Sequence, residues 1–178
     1  MPVPPHRSIR DATPDDAAAC AAIYAPYVSD TAVTFETDAP SADELAVRIA
    51  AAQRRHAWLV LEDAGRVAGY AYAGPFKDRA AYRWACEVSV YLETGRRRTG
   101  AGRALYAALL ARLEQRGYRR AFGGMTLPNP GSEGLHRAMG FEPAGVFRRV
   151  GWKHGAWHDV AWMARPLGAD VDPPAEPR

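Results

Sequence analysis

Between an alternating strand, Trp84 to Leu92, and an amphipathic helix from Ala101 to about Arg116 lies the stretch Arg97-Arg98-Thr99-Gly100-Ala101-Gly102-Arg103. In the strand, Trp84, Cys86, Val88, Val90 and Leu92 share one face, and Glu87, Ser89 and Tyr91 share the other. Two glycines one residue apart let the backbone turn with its N–H groups converging on one hollow. The helix N-terminus adds partial positive charge there, and three arginines surround it, which makes a socket for an anion such as a pyrophosphate. A short glycine loop by itself is more often a plain strand-to-helix turn. Its meaning therefore rests on the surrounding chain.

Upstream, Ile9 to Ala12 reads as a first strand, and Thr13-Pro14-Asp15-Asp16 as a helix start with a capping threonine. Ala19, Ile23 and Tyr27 follow at helical spacing, and Asp30 to Thr37 is irregular. Ser41-Ala42-Asp43-Glu44 is a capping box that opens a second helix, to about Arg55. Trp58 to Glu62 and Arg66 to Ala73 form a hairpin around Asp63-Ala64-Gly65. Downstream, the helix from Ala101 buries Leu105, Ala108, Leu109 and Leu113 and stops at Gly117. Arg120 to Met125 is a strand, and a turn at Pro128-Asn129-Pro130-Gly131 leads to a short helix, Ser132 to Met139. Strands Ala144 to Lys153 and Trp157 to Met163 meet at Gly155. The order β-α-α-β-β-β-α-β-α-β-β predicts an α/β fold, with a mixed, mostly antiparallel central sheet flanked by helices.

With 178 residues, 48% of them hydrophobic, the chain can build one proper core. The expected domain spans 8–167, after a flexible Pro-rich stretch at 1–7 and before a polar, Pro-rich tail at 168–178 that composition predicts to be disordered. A net charge of +3 favours acidic small molecules and falls short of a nucleic-acid-binding composition. Cys20 and Cys86 lack C-x-x-C partners and sit in apolar runs, so reduced core thiols are expected, with neither a zinc site nor a disulfide. No signal region or membrane-length segment is present, so a soluble, cytoplasmic protein is expected.

The element order, with Arg97-x-x-Gly100-x-Gly102 opening the central helix, resembles the GCN5-related N-acetyltransferases over Ile9 to Leu167. Further stretches are similar to one branch, the phosphinothricin and methionine sulfoximine or sulfone acetyltransferases. They include Thr34-Phe35-Glu36, the run Gly74-Pro75-Phe76-Lys77-Asp78-Arg79-Ala80-Ala81-Tyr82-Arg83-Trp84, Glu87-Val88-Ser89-Val90-Tyr91, Leu127-Pro128-Asn129, Leu135-His136 and Lys153-His154-Gly155-Ala156-Trp157-His158-Asp159. The resemblance implies acetyl-CoA as co-substrate. Its pyrophosphate would lie over Arg97, Arg98, Thr99, Gly100, Ala101, Gly102 and Arg103, and its pantetheine arm would pair as an added strand with Val90, Tyr91 and Leu92. Asn129 would hydrogen-bond that arm.

Acetyl transfer to an amine needs a base, because an amino-acid amine is mostly protonated at neutral pH. Family position points to Glu87, acting directly or through a water; a lone strand Glu is otherwise most often a solvated carboxylate. A backbone N–H of Val90 or Tyr91 would support the oxyanion. His136 stands where many relatives place a tyrosine, and two readings stand level: a proton donor to the leaving thiolate, or a packed helix histidine. By family position Lys77, Arg79 and Tyr82 clamp an acidic acceptor group and Phe35 walls its pocket, although K-D-R alone usually means a solvated cluster. His154, His158 and Asp159 do not share a helix face, so no metal site is expected, and cross-strand packing of Trp152, Trp157 and Trp162 is the better account. Gly123-Gly124 leaves the size of the acceptor pocket open.

The leading expectation is thus an acetyl-CoA-dependent N-acetyltransferase for a small acidic amino-acid analogue, acting as a homodimer without nucleic-acid or membrane partners. A polyamine, an aminoglycoside or a protein N-terminus are alternative acceptors; the first two predict a carboxylate-rich pocket rather than Lys77 and Arg79. A non-catalytic acyl-CoA sensor is the alternative from another class.

Overall fold

Thr13 starts the first helical segment as its sequence implies: the Thr13 N–H donates to the Asp16 carboxylate at 2.8 Å. Asp16 is held in turn by both terminal nitrogens of Arg10, at 2.7 and 2.8 Å. The structure is a computed structural model that describes residues 7–96 and 99–178. Its elements are β1 (Arg7–Asp11), α1 (Ala17–Asp30), α2 (Ala42–Arg55), β2 (Ala57–Asp63), β3 (Arg66–Pro75), β4 (Ala85–Leu92), α3 (Ala101–Gln115), β5 (Arg120–Thr126), α4 (Pro130–Ala138), β6 (Glu142–Lys153) and β7 (Ala156–Pro166). Short 3-10 turns precede α1 at Pro14–Asp16 and β4 at Ala80–Tyr82. The predicted order is the observed one, and so is the capping box of α2, in which Ser41 accepts from the Glu44 N–H at 3.2 Å and the Glu44 carboxylate accepts from the Ser41 N–H at 2.7 Å.

The seven strands form one sheet in the order β1-β2-β3-β4-β5-β7-β6, antiparallel except where β4 meets β5. One face, under α3 and α4, buries Cys86, Val88, Leu105, Leu109, Leu113 and Met125; the other, under α1 and α2, buries Cys20, Leu45, Ile49, Trp58 and Tyr70. In α1 the buried residues are Ala17, Cys20, Ile23, Tyr24 and Val28; of the predicted Ala19–Ile23–Tyr27 stripe, Ile23 is in the core and Ala19 and Tyr27 are half-buried at its edge. Alternation on β4 is as predicted, with Cys86 and Val88 in the core. Gly117 ends α3 at φ +92°, a left-handed turn that glycine adopts without a Cβ penalty.

Residues 168–178 form neither helix nor strand. They nevertheless touch the body: the Trp84 indole N–H donates to the Ala175 carbonyl at 2.8 Å, and Arg83 meets the Glu176 carboxylate at 3.1 Å. Those partners lie far away in sequence, out of reach of a compositional reading. Likewise Arg7 already belongs to β1 and pairs with Asp63 at 3.4 Å.

Candidate active site

The central feature is a split between two neighbouring strands. β4 pairs with β5 only through Ala85–Glu87 against Arg120–Phe122. Beyond Glu87, β4 stays with β3, while Gly123–Thr126 of β5 stays with β7. The Val88 and Leu92 carbonyls accept hydrogen bonds from the Tyr106 and Tyr27 hydroxyls, at 3.4 and 2.7 Å, whereas the Glu93 N–H turns the other way, to Ala68 of β3. Backbone groups alternate along a strand, so Val90 presents its N–H and C=O to the gap with no strand opposite. Tyr91 turns its own toward Tyr70 of β3, which leaves Val90 as the gap-facing N–H of the two expected candidates. Leu92 adds its N–H to the same edge.

The glycine turn expected to hold an anion lies beside the end of β4, a Cβ at Gly102 standing 3.7 Å from Leu92 Cδ1. Gly100 is the N-cap of α3 with φ +79°, and Ala104 N–H makes the first helical bond back to it at 3.0 Å. The preceding amides have no intrahelical partner. Thr99 Oγ1 donates to the Arg96 carbonyl at 3.1 Å and accepts from the Ala101 N–H at 3.4 Å, which leaves the Gly102 and Arg103 N–H groups at the free end of the helix. Gly102 is buried, with Leu135 Cδ2 3.4 Å from where its Cβ would stand. An ion-pair web props the loop from below: Arg96 binds both Asp63 and Glu93, Arg66 binds Glu93 at 2.6 Å, and Arg7 donates to the Thr99 carbonyl at 3.2 Å. Sequence reading missed this web, since no local pattern links Asp63 to Arg96. Arg97 and Arg98, two of the expected anion ligands, lie outside the described residues. Arg103 is exposed and, with Ala107, Met139, Gly140 and Arg165, lines a cavity of about 560 Å³. Asn129 is the N-cap of α4: its Oδ1 accepts from the Ser132 N–H at 3.1 Å, so what it can offer a ligand is its amide NH₂.

On the α1/α2 face, Glu87 stands opposite Gly74 on β3 and Phe122 on β5. Burial raises its pKa, and the nearby Lys77 ammonium acts against that rise. No hydrogen bond to its carboxylate is found among the described residues. A Cβ at Gly74 would meet nothing within 4 Å, so there is open space beside Glu87. Phe76, stacked on Phe122 at 4.0 Å and edge-on to Trp162 at 5.9 Å, continues this surface, and Tyr82 packs edge-on against Phe76 at 6.0 Å. Lys77 lies 5.2 Å from the Phe76 ring centre. Arg79 is exposed in the same segment and caps the 3-10 turn through its carbonyl, 2.9 Å from the Tyr82 N–H. Phe35 comes in from the α1–α2 loop and faces His158 at 6.2 Å.

His136 lies on the other face and is 3% exposed. Its Nδ1 is 2.8 Å from the Ser132 carbonyl, which can only accept, so Nδ1 carries the proton. Nε2 is left as an acceptor for the Tyr106 hydroxyl at 3.2 Å, whose single proton is shared with the Val88 carbonyl. Burial lowers the His136 pKa and keeps the ring neutral. The two consecutive glycines of β5 now have an account. A Cβ on Gly123 would clash with the His136 ring at Nε2, and one on Gly124 would stand 3.1 Å from the Trp162 indole on the opposite face. Neither sequence position announces its ring, because the partners come from α4 and β7.

The His154–His158–Asp159 group is dispersed. His154 Nε2 faces the Thr31 carbonyl at 3.1 Å and His158 Nε2 the Lys153 carbonyl at 2.9 Å. Asp159 accepts from the Arg149 N–H at 2.8 Å and pairs with Arg148 at 2.6 Å, fixing the bulge of β6. Among the described residues no group of three His, Cys, Asp or Glu side chains is placed to hold a metal ion, and no helix is long and apolar enough to cross a membrane. Trp152 and Trp157 pack edge-on across the hairpin at 5.4 Å as expected, whereas Trp162 joins Phe76 instead.

A mixed sheet split at its parallel pair, with a helix N-terminus at the mouth of the split and a desolvated carboxylate beside it, defines an acyl-transferase class of site. Residues 9–162 match the acetyltransferase (GNAT) domain family. The chain is 41% identical over 170 residues to a phosphinothricin N-acetyltransferase of Streptomyces viridochromogenes, covering 96% of this chain and 91% of that one. It is 37% identical over 158 residues to an L-methionine sulfoximine/L-methionine sulfone acetyltransferase of Pseudomonas paraeruginosa, covering 88% and 92%. Among solved structures, a phosphinothricin acetyltransferase from Sinorhizobium meliloti in complex with AcCoA superposes with a TM-score of 0.89 at 36% identity, over 97% of this chain and 93% of that one. The chain belongs to the GNAT acetyltransferases and is an N-acetyltransferase.

Proposed function

We propose that this enzyme transfers the acetyl group of acetyl-CoA to the α-amine of a small acidic amino-acid analogue of the phosphinothricin or methionine sulfoximine/sulfone type. One observation carries the reading: a desolvated carboxylate with no hydrogen-bond partner among the described residues, Glu87, lies beside a strand edge left open at Val90. The activities named for the relatives support the same acceptor class.

Acetyl-CoA is the co-substrate and supplies the activated acyl group. The residues present suit it: the Gly102 and Arg103 amides at the α3 N-terminus for its pyrophosphate, the Val90 edge for its amide-rich arm, and the Asn129 NH₂ as a further donor. Glu87 accepts the amine proton, directly or through a water. Desolvation makes it a stronger base than a surface carboxylate. The Val90 N–H faces the gap where a donor to the developing negative oxygen is needed. Lys77, Arg79 and Tyr82 bind the acidic group of the acceptor, and Phe35 closes its pocket. For His136 the packed reading is favoured: it is neutral, enclosed, and orients Tyr106 against the Val88 carbonyl.

We further infer a homodimer joined through the β6–β7 hairpin. β6 is the outermost strand of the sheet, and Phe147, Val150, Trp152 and Trp157 on this hairpin are each about half exposed. A long apolar edge of this kind is left open when a second chain covers it. Trp152→Glu is expected to shift sedimentation from dimer to monomer. The two buried free thiols, Cys20 and Cys86, support a reducing, cytoplasmic setting.

The test of function is thiol release from acetyl-CoA with phosphinothricin, methionine sulfoximine, methionine sulfone, spermidine and an aminoglycoside. Turnover with the first three, lost in Glu87→Gln, is the expected result. Turnover with the cationic amines alone would overturn the acceptor assignment.

A further inference from the structure

We propose that Lys153 is a positioning residue for the acceptor, latching the loop that carries Phe35 to the β6–β7 hairpin; this rests on the acceptor pocket assigned above. Lys153 ends β6 and is only 6% exposed, an unfavourable place for an ammonium group unless it is hydrogen-bonded. Its Nζ donates to the Val28 carbonyl at 2.7 Å and to the Thr34 carbonyl at 2.8 Å. Val28 lies in the last turn of α1, whose carbonyls have no helical partners, and Thr34 immediately precedes Phe35. One cation thus closes the end of a helix and fixes the backbone next to the pocket wall.

The surroundings point the same way. Phe35 lies directly on Gly151, where any Cβ would clash with the ring at Cε2. From the hairpin, His154 Nε2 meets the Thr31 carbonyl, and His158, which faces Phe35, is fixed through the Lys153 carbonyl. The opposite side of the loop is held by Tyr24, whose hydroxyl is 2.6 Å from Thr34 Oγ1, and by the two-pronged Arg48–Glu36 pair at 2.6 and 3.0 Å. Burial lowers the Lys153 pKa, and the Glu36 carboxylate opposes that fall. A cavity of about 330 Å³, lined by Val28, Ser29, Thr37, Trp152, Lys153 and His154, gives the loop room to move once the latch is cut. Lys153 touches none of the residues assigned to acetyl-CoA, so its effect falls on the acceptor alone.

Two variants test this, Lys153→Met and Gly151→Ala; the second leaves the ammonium in place and displaces only the Phe35 ring. Steady-state kinetics with phosphinothricin should show the acceptor KM raised ~10-fold, with kcat and the KM for acetyl-CoA within ~2-fold of the parent. Independently of turnover, chymotrypsin should cut after Phe35 ~10-fold faster in Lys153→Met, because the released loop opens locally more often. An unchanged acceptor KM in Lys153→Met, or a KM for acetyl-CoA that rises in step with it, would overturn the proposal; an unchanged acceptor KM in Gly151→Ala would overturn the placing of Phe35 at the pocket. Should Lys153→Met fail to fold, Lys153→Arg, which keeps the charge but cannot place one nitrogen between the two carbonyls, decides through the same KM comparison. Should the parent enzyme acetylate no amino-acid acceptor, the function assigned above falls; cleavage at Phe35 then decides the latch, faster cutting upholding it and unchanged cutting overturning it.

Discussion

His136 and Glu87 lie on opposite faces of the central sheet, and burial acts on both by disfavouring their charged forms. The outcomes diverge because of their partners. His136 has Ser132 on one nitrogen and Tyr106 on the other, with Gly123 cleared to admit its ring. Glu87 has the field of Lys77 and open space beside Gly74. A buried polar group with every partner in place belongs to the architecture; a desolvated one left without a hydrogen bond is available for chemistry.

The sharpest way to break this contrast is mutation of both groups. Glu87→Gln is expected to lower kcat by ~10²–10⁴-fold while calorimetric binding of acetyl-CoA stays unchanged. His136→Asn should lose stability and less than ~10-fold in kcat; a loss as large as that of Glu87→Gln would erase the distinction. The pH profile separates them again. Because the Glu87 pKa is raised, kcat/KM should climb with pH through a value above the ordinary carboxylate 4.5, and that limb should vanish in Glu87→Gln.

Packing gives the next effect. Gly123→Ala forces the His136 ring off the sheet and should destabilise the fold by about 3 kcal/mol in urea unfolding, the upper end for overpacking. Acid comes after it. Both His136 and His56 have lowered pKa values in the folded state, His56 to about 4, so below about 6.5 the unfolded chain binds more protons and stability falls. For His56 alone the loss between pH 7 and 5 is about 2 kcal/mol, and it should be absent in His56→Phe, read from the shift in urea midpoint. The smallest effect belongs to Gly124→Ala, whose Cβ presses on Trp162 from 3.1 Å; it should change acceptor KM by a few-fold and leave the urea midpoint nearly unmoved.

Much of this was legible in the chain. The β4 alternation, the Ser41–Glu44 capping box, the Gly100-x-Gly102 loop and the Gly117 stop are local patterns, and each stands where reading along the chain puts it. Glu87, Asn129 and the Lys77–Tyr82 segment could be singled out by family likeness; Glu87 stands where β4 and β5 part, with Lys77 near enough to act on its pKa. What stayed hidden depends on partners far apart in sequence. What Tyr106, Tyr27 and Lys153 hold had no local mark, since each acts on a carbonyl or ring nitrogen 30 to 125 residues away.

Sequence by itself determined the order of elements, the glycine turn that opens α3 and the one carboxylate on the open face of β4, because periodicity, glycine conformation and caps act over a few residues. Only the tertiary structure decided that β4 and β5 part after Glu87, that Val90 rather than Tyr91 faces the gap, and that His136 is enclosed. These outcomes depend on which strand lies beside which, on the parity of the backbone groups at each edge, and on the room that Gly123 and Gly124 leave for rings from other elements.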